Sequence, residues 1–316
     1  MSELYRWGHS RRYNDYPSYI KRIYGGRVQK ISVNVGFSCP NRDGTKGTGG
    51  CIYCNNKTFK PGYCEPEIPV KEQIEKGIAF FEKKYPDMLY MAYFQSYTNT
   101  YAPVDDLRKL YMQALSANKK VKGLVIGTRP DCVDDEILQM LRDIAGDYPV
   151  TVEFGIESTI DRTLTEINRC HTWQDSIDAI NLCEKYNIDA GAHIILGLPG
   201  ETKYEMLAHA DAISKLPVKT LKLHQLQVTK NTMLAKRYLQ NPDYVQLFTL
   251  NDYIDFVIQF IEKLNPEIII ERFVSTSPLD KLIAPHWNRM KNFEIVAKIE
   301  KELEKRDTFQ GKLYKG

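Results

Sequence analysis

No part of this sequence is apolar over the roughly 20 residues that a helix needs to cross a bilayer. The first residues, MSELYRWGHSRR, also lack the apolar core of a secretion signal. The chain contains no low-complexity segment and no repeat of identical sequence. We therefore expect a cytoplasmic protein that has no membrane partner.

The chain is also poor in features that suggest disulfides. Seven cysteines in 316 residues make an odd number, and a chain with 43% apolar residues buries a full core without covalent cross-links. Three of the seven lie close together in CPNRDGTKGTGGCIYC, residues 39–54. Thiolate chemistry is a better interpretation of this cluster than disulfide formation.

Net charge is low, at +3, but it is unevenly distributed. Residues 1–30 hold seven Lys or Arg against two acids, and residues 281–316 hold nine against five. For the last stretch an ordinary solvated helix face is the preferred interpretation. In the N-terminal arm, basic residues alternate with Tyr and Trp, a combination that suits RNA. The alternative is an arm that packs on its own domain. The candidate RNA contacts are Arg11, Arg12, Lys21 and Arg22.

Strand-like and helix-like segments alternate along the chain. Short β-branched or aromatic runs begin near residues 30, 88, 123, 150, 190 and 220, and segments with apolar residues at three- and four-residue spacing lie between them. A seventh apolar run, EIIIERFV, spans 267–274. This alternation predicts an α/β protein with a parallel sheet.

The strand faces predict that the sheet is curled. In VTVEFGIE, Val150 and Val152 share one face, whereas Glu153 and Glu157 share the other. Strands that are buried on both faces are apolar on both, and these are not. We therefore expect an incomplete (β/α)6 TIM-like barrel with a polar interior. The predicted domains are an N-terminal arm (1–28), the partial barrel (29–275) and a basic C-terminal extension (276–316).

The most distinctive residues follow the strands. They include Cys39 after the first strand, QSYTNT (95–100) after the second, TRPD (128–131) after the third and GLPGET (197–202) after the fifth. The carboxyl ends of parallel strands meet at one rim, where barrels of this kind hold their active sites. We therefore predict one site at that rim.

Cys51 and Cys54 form a C-x-x-C pair that suits a metal centre, and the glycines of the loop let Cys39 join them. Three thiolates fit an iron–sulfur cluster that leaves one iron open to a bound molecule. The alternative is a structural zinc with Cys64 as the fourth ligand. The chain has no second C-x-x-C unit, as zinc sites of that kind commonly have.

With GIES (155–158), INRCH (167–171) and GLPGET downstream of the cysteines, the chain resembles the radical S-adenosylmethionine (SAM) enzymes. It is most similar to the branch of the elongator catalytic subunit, and within it to a group of stand-alone bacterial proteins with a long cysteine loop. The departure is that loop: eleven residues separate Cys39 from Cys51, where the commonest family pattern has three. The elongator-like branch also has a longer spacing, and this chain has no room for that subunit's acetyltransferase domain.

The resemblance implies that Cys39, Cys51 and Cys54 bind a [4Fe-4S] cluster, and that the amino and carboxylate groups of SAM chelate its open iron. Reductive cleavage of SAM then yields a 5′-deoxyadenosyl radical, which removes a hydrogen atom from the substrate. Carried over motif by motif, the implied SAM-binding residues are Tyr53, Gln95, Thr98, Asn99, Arg129, Asp131, Glu153, Glu157, Arg169, His193 and Gln227. From the residues alone, Arg169 pairing with Glu166 and His193 as a satisfied interior histidine are the favoured alternatives.

Elongator-like enzymes act on the wobble uridine of transfer RNA at its carbon-5 substituent. The hypothesis is therefore a radical step in tRNA modification, with tRNA as partner and a reductase, flavodoxin or ferredoxin as electron donor. Two alternatives remain open. One is radical chemistry on a small metabolite or peptide, and the other is a zinc-stabilised RNA-binding protein without catalysis.

Overall fold

The structure is a computed structural model that describes residues 4–55 and 61–316. Seven parallel strands form its main sheet, and two further strands pair antiparallel outside it. In order across the main sheet, the strands are β1 (Val28–Val33), β2 (Leu89–Phe94), β3 (Val121–Thr128), β4 (Val150–Glu157), β5 (Asp189–Leu196), β6 (Val218–Gln225) and β8 (Ile269–Arg272). The small pair is β7 (Val228–Thr229) and β9 (Leu282–Ala284).

Helices connect successive strands, so the predicted alternation is confirmed. They are α1 (Tyr16–Tyr24), α2 (Val70–Glu82), α3 (Val104–Ser116), α4 (Asp135–Ala145), α5 (Asp161–Glu166), α6 (Trp173–Lys185), α7 (Lys203–Ser214), α8 (Met233–Gln240), α9 (Leu250–Lys263) and α10 (Asn292–Lys305). None of the helices in the described ranges is long and apolar enough to span a bilayer.

The two faces of the sheet differ as the alternation predicts. Val150, Val152 and Phe154 of β4 are buried in the core together with apolar side chains of the surrounding helices. The opposite face of β4 carries Glu153 and Glu157, which line a cavity. The expected incomplete barrel is therefore confirmed, and the seventh apolar run adds β8 as a further strand beside β6.

Strand β1 is shorter than the sequence pattern predicts. The pattern continues to Phe37, whereas the strand ends at Val33. The reason is the Gln73 side chain, which accepts a hydrogen bond from the Asn34 backbone N–H (2.9 Å) and donates one to the Asn34 carbonyl (2.8 Å). A side chain thus takes the two backbone groups that a neighbouring strand would use.

Long-range contacts bring the two edges of the sheet together. Lys30 Nζ of β1 lies 2.6 Å from Glu271 Oε1 of β8. The N-terminal arm pairs with the β8 edge through a parallel bridge between Asp15 and Ile270. It also contacts the C-terminal segment, since the Gln310 backbone N–H donates to the Arg12 carbonyl at 2.9 Å. The predicted domain boundaries remain predictions, and residues 1–3 of the arm lie outside the described residues.

Candidate functional site

A cavity of about 250 Å³ opens at the carboxyl ends of the strands. It lies at the rim that the sequence predicts, and loops and strands from across the sheet contribute to its wall. The sequence-predicted residues that line it are Cys39, Cys51, Tyr53, Cys54, Gln95, Thr98, Arg129, Glu153, Glu157, Arg169, His193 and Gln227.

The cysteine loop forms one side of this cavity. Cys51 is buried, and Cys39 and Cys54 are partly exposed. Gly49 and Gly50 adopt φ values of +79° and +76°, which side chains other than glycine rarely tolerate, and so they let the loop turn back just before Cys51. The three thiols therefore face one space although eleven residues separate the first from the second.

Residues 167–170 hold the loop in place. The Ile167 carbonyl accepts from the Ile52 backbone N–H at 3.0 Å, and the Asn168 side chain donates to the Gly50 carbonyl at 2.9 Å. The Arg169 guanidinium donates to Cys51 Sγ at 3.5 Å. The INRCH motif therefore acts, in part, as a brace for the cysteines, a role that sequence reasoning missed.

The donor set fits an iron–sulfur cluster better than a single ion. Among the described residues, no group of three or more His, Cys, Asp and Glu side chains could hold one metal ion. A cluster spreads its ligands, because each thiolate binds a different iron. Cys64, the fourth ligand of the zinc alternative, instead donates to the Ser32 carbonyl at 2.8 Å and is not among the residues that line the cavity, so far as the chain is described.

Beside the cysteines, the wall holds polar groups that have no partner in the structure. Arg129 Nη1 and Thr98 Oγ1 are buried and make no hydrogen bond, although both residues line the cavity. A buried unsatisfied polar group costs about 1–3 kcal/mol. These two groups therefore fit a ligand with polar atoms, as SAM has.

Asp131 and Asn99 lie behind this wall. Asp131 accepts two hydrogen bonds from Arg129 (2.8 and 2.9 Å), and Lys46 is 2.7 Å away. Burial alone would raise the pKa of Asp131, but these cations lower it to about 2. The Asn99 side chain donates to the carbonyls of Phe94 (3.1 Å) and Gly127 (2.7 Å) and so joins the ends of β2 and β3. Both residues position the site from outside the cavity.

Arg169 does not pair with Glu166, which contacts Arg237 instead. The Arg169 guanidinium instead lies 3.7 Å from the Glu157 carboxylate, and its Nε donates to His171 Nε2 at 3.0 Å. Burial and the Arg169 charge lower the pKa of His171 to about 3. A neutral His171 thus accepts from a charged Arg169. A Cβ atom on Gly155 would lie 2.6 Å from Glu157 Oε1, so a larger residue there would displace the end of the Glu157 side chain.

The interior below the cysteines holds four charged side chains, which we call the buried ion cluster: Lys30, Glu153, Lys222 and Glu271. Glu153 lies 2.6 Å from both lysine Nζ atoms, and Glu271 lies 2.6 Å from Lys30 and 3.1 Å from Lys222. Burial opposes ionisation of Glu153, but Lys222 and Lys30 hold its pKa well below the ordinary value. Sequence reasoning missed Lys30 and Glu271, which lie 241 residues apart.

This cluster changes the interpretation of two predicted residues. Glu153 lines the cavity, but its oxygens contact Lys30, Lys222 and His193. His193 Nε2 lies 3.0 Å from Glu153 Oε2, and burial lowers the pKa of His193. The satisfied interior histidine therefore agrees with the geometry, and a direct role in SAM binding stays a prediction for both residues.

The remaining predicted residues lie on either side of the cavity. Tyr53 packs with the apolar cluster that contains Ile52 and Leu226. Gln95 Oε1 accepts from Ser32 Oγ at 3.3 Å, and Gln227 Oε1 accepts from Ser277 Oγ at 2.7 Å. Tyr53 thus presents a ring beside apolar side chains, which suits an adenine, although that contact stays a prediction.

The candidate RNA residues of the arm are partly engaged within the chain. Arg11 lies 3.1 Å from Asp15, and Arg12 lies 3.0 Å from Asp307 and donates to the Thr308 carbonyl at 3.2 Å. Arg22 donates to the Trp7 carbonyl at 3.3 Å but is exposed, as is Lys21. The arm therefore packs on its own domain, and Lys21 and Arg22 present cations to solvent.

The chain matches two family descriptions. Residues 34–213 match the Radical SAM superfamily, and residues 218–305 match the Radical_SAM C-terminal domain. The first match contains the cysteine loop and strands β2–β5, and the second begins at β6.

Relatives match over nearly the full length. The chain is 33% identical to the uncharacterized protein YtqA of Bacillus subtilis, over 96% of this chain and 93% of that protein. It is 36% identical to an uncharacterized protein of Methanocaldococcus jannaschii, over 98% and 94%. A shorter match is to a tRNA uridine(34) acetyltransferase of Methanocaldococcus infernus. It is 33% identical over 88 residues, which are 28% of this chain and 16% of that protein.

Solved structures share the fold. Elp3 of the archaeon Methanocaldococcus infernus, with an N-terminal deletion, superimposes with a TM-score of 0.67 at 15% identity, over 90% of this chain and 64% of that one. SuiB of Streptococcus suis bound to S-adenosylmethionine superimposes with a TM-score of 0.52 at 9% identity, over 81% and 53%. At these identities the likeness concerns the fold alone.

Proposed function

The chain belongs to the radical SAM superfamily, and from this premise we propose that it modifies the carbon-5 side chain of the tRNA wobble uridine by radical chemistry. The cofactors of this superfamily are a [4Fe-4S] cluster and SAM. The observation that carries the enzymatic part is the convergence of Cys39, Cys51 and Cys54 on a cavity whose wall also holds unpartnered polar groups.

When bound, the cluster and SAM supply the one-electron chemistry by which a C–H bond is activated. The chain's own contribution is to hold and orient them. Cys39, Cys51 and Cys54 offer three thiolates, and the Arg169 charge lies beside the Cys51 sulfur. Arg129 and Thr98 offer donors that have no other partner, on the side of the cavity next to the cysteines.

The SAM site that we propose uses the residues of the cavity wall. Glu157, Arg169 and His193 would serve the methionine carboxylate and the ribose, and Gln95 and Thr98 the amino group. Tyr53 and Gln227 would flank the adenine. Asn99 and Asp131 would act indirectly, because each holds wall elements in place.

One similarity supports tRNA as the substrate. A stretch of 88 residues matches a tRNA uridine(34) acetyltransferase, whose name gives uridine 34 of tRNA as its target. The exposed Lys21 and Arg22 are compatible with an RNA partner. A flavodoxin, ferredoxin or reductase would supply the electron. A small metabolite or a peptide is the alternative substrate.

The first experiment tests the enzyme. Anaerobically reconstituted protein is expected to be brown, to contain iron and to cleave SAM after reduction. Colourless protein that holds zinc, or reduced protein that leaves SAM intact, would contradict the assignment.

The second experiment tests the substrate. Nucleosides from total tRNA of a deletion strain and of the wild type are compared by mass spectrometry, with complementation by the intact gene and by a Cys51→Ala gene. We expect a changed wobble-uridine derivative that only the intact gene restores. If the nucleoside profile is unchanged while SAM cleavage is observed, the substrate is a metabolite or a peptide.

A further inference from the structure

The side of the cavity formed by β6 and β8 also carries polar side chains, those of Lys222, His224, Gln225 and Arg272. Two of these four residues, Gln225 and Lys222, have partners within the chain. Gln225 exchanges two hydrogen bonds with the Ser275 backbone (2.8 and 2.9 Å), and Lys222 belongs to the buried ion cluster. Two residues do not fit this description, and they are His224 and Arg272.

His224 has a buried ring nitrogen without a hydrogen-bond partner among residues 4–55 and 61–316. Its Nε2 atom is buried and makes no hydrogen bond, and the residue lines the cavity. Burial lowers the pKa of His224 well below the ordinary value, so the ring is neutral and offers one N–H without a charge. The His193 ring lies beside it, with 5.5 Å between the ring centroids.

Arg272 carries a charge that no residue in the described ranges balances. Its guanidinium lines the cavity at the end of β8, is exposed, and makes no hydrogen bond or ion pair with the described residues. The neighbouring buried ion cluster has two ammonium groups and two carboxylates, so it contributes no spare negative charge. One cation of this side therefore lacks a counter-charge.

Both groups can donate a hydrogen bond at neutral pH, since a neutral imidazole carries one N–H beside one acceptor nitrogen, and the arginine is also positively charged. An arginine has five N–H donors and no acceptor, so it suits a carboxylate or a phosphate. We propose that Arg272 and His224 form an oxyanion subsite that binds a carboxylate or phosphate group of the substrate.

The cofactor does not account for this subsite. SAM has a single carboxylate, which the proposed site places together with the ribose among Glu157, Arg169 and His193; its amino group and its sulfonium carry no negative charge. The inference rests on the proposed function only in taking the cavity as the place where the substrate binds. It holds equally for tRNA and for an anionic metabolite or peptide.

Simple anions test the subsite without assuming tRNA. Acetate and inorganic phosphate are each compared with chloride at equal ionic strength, by thermal unfolding of the reconstituted holoenzyme with SAM present. We expect at least one of them to raise the melting temperature, and Arg272→Met to lose more than half of that shift. Arg289→Met is the matched control, because Arg289 is also exposed but lies outside the cavity lining.

Nucleosides then identify the source of the oxyanion. Uridine, uridine 5′-monophosphate and 5-carboxymethyluridine are titrated calorimetrically into the wild type, Arg272→Met and His224→Phe. Of the two anionic compounds, one will bind the wild type more tightly. Because a charged hydrogen bond is lost, Arg272→Met is expected to weaken the binding of that compound by about tenfold or more. Its effect on the binding of uridine should be small. Preference for the monophosphate indicates an RNA phosphate, and preference for the carboxylate a substituent on the base.

Three results would overturn the subsite. In the first, neither anion stabilises the wild type. In the second, Arg272→Met and Arg289→Met respond alike. In the third, Arg272→Met weakens SAM itself about tenfold and leaves the anions unaffected, which would assign the guanidinium to the cofactor. An unchanged tRNA profile in the deletion strain together with a retained anion effect would instead reject only the tRNA substrate.

Discussion

The floor of the cavity, which is the buried ion cluster, and the rim at the strand ends differ in whether their polar groups have partners within the chain. At the floor, each charge of the buried ion cluster has a partner of opposite sign within the chain, as Glu153 has in Lys30 and Lys222. At the rim, Arg129 and Thr98 hold buried polar atoms without partners. The comparison indicates that the buried ion cluster is neutralised within the chain, whereas the rim is shaped for groups that the described residues do not provide.

The strongest test of the rim is Cys51→Ala. We expect loss of the cluster and of SAM cleavage, because a loop thiolate is removed, and a folded barrel, because the loop lies outside the sheet. Iron content, electron paramagnetic resonance of the reduced protein and circular dichroism measure these three properties. Cys64→Ser is the matched control and should retain its iron. Iron loss in the control would revive Cys64 as a ligand.

The strongest test of the floor is Glu153→Gln. Removing the Glu153 charge leaves the buried Lys30 and Lys222 with one carboxylate between them. This should lower the unfolding free energy by about 3–5 kcal/mol. Chemical denaturation measures the loss, and the exposed pair of Glu166 with Arg237 gives the control, since Glu166→Gln should cost less than about 1 kcal/mol. Adding Lys222→Met to Glu153→Gln should recover part of the stability. Equal losses in the two single variants would remove the distinction between floor and surface.

A third test uses pH to sharpen the comparison. His171 has a pKa of about 3 in the folded chain, below its ordinary value, so the unfolded chain binds a proton first as the pH falls. The stability that His171 contributes is present above the ordinary histidine pKa and decreases towards pH 3, by about 1.4 kcal/mol per pH unit in the middle of that range. Denaturation of the cluster-free protein should show a shallower pH slope for His171→Gln. An unchanged slope would contradict a neutral His171, and the exposed His286→Gln is the control.

The smallest expected effect concerns a rim loop that serves the fold alone. The Thr202 side chain accepts from the Glu205 backbone N–H and so caps α7. Thr202→Ala should lower the unfolding free energy by about 1 kcal/mol and leave iron content and SAM affinity unchanged. Thr202→Ser retains the cap and should behave as the wild type. Loss of SAM affinity in the alanine variant would give this turn a part in the site.

Much of the site was predictable because strand alternation is local. The period of two along β4 predicts that Glu153 and Glu157 face inward, and the structure confirms it. The same alternation predicts a longer β1 than the structure has, because the Gln73 side chain bonds both backbone groups of Asn34. The arm shows the same limit: its charges suggest RNA, yet Arg12 contacts Asp307, which lies almost at the other end of the chain.

By itself, the sequence determined the order of strands and helices, the inward face of each strand and the group of three cysteines, because each depends on spacing along a few residues. The tertiary structure decided which inward charges find partners. Lys30 meets Glu271 only because the sheet curls until its first and last strands approach each other. Within the part of the chain that the structure describes, Arg272 is left without a counter-charge, since the neighbouring Glu271 carboxylate is already held by two lysines.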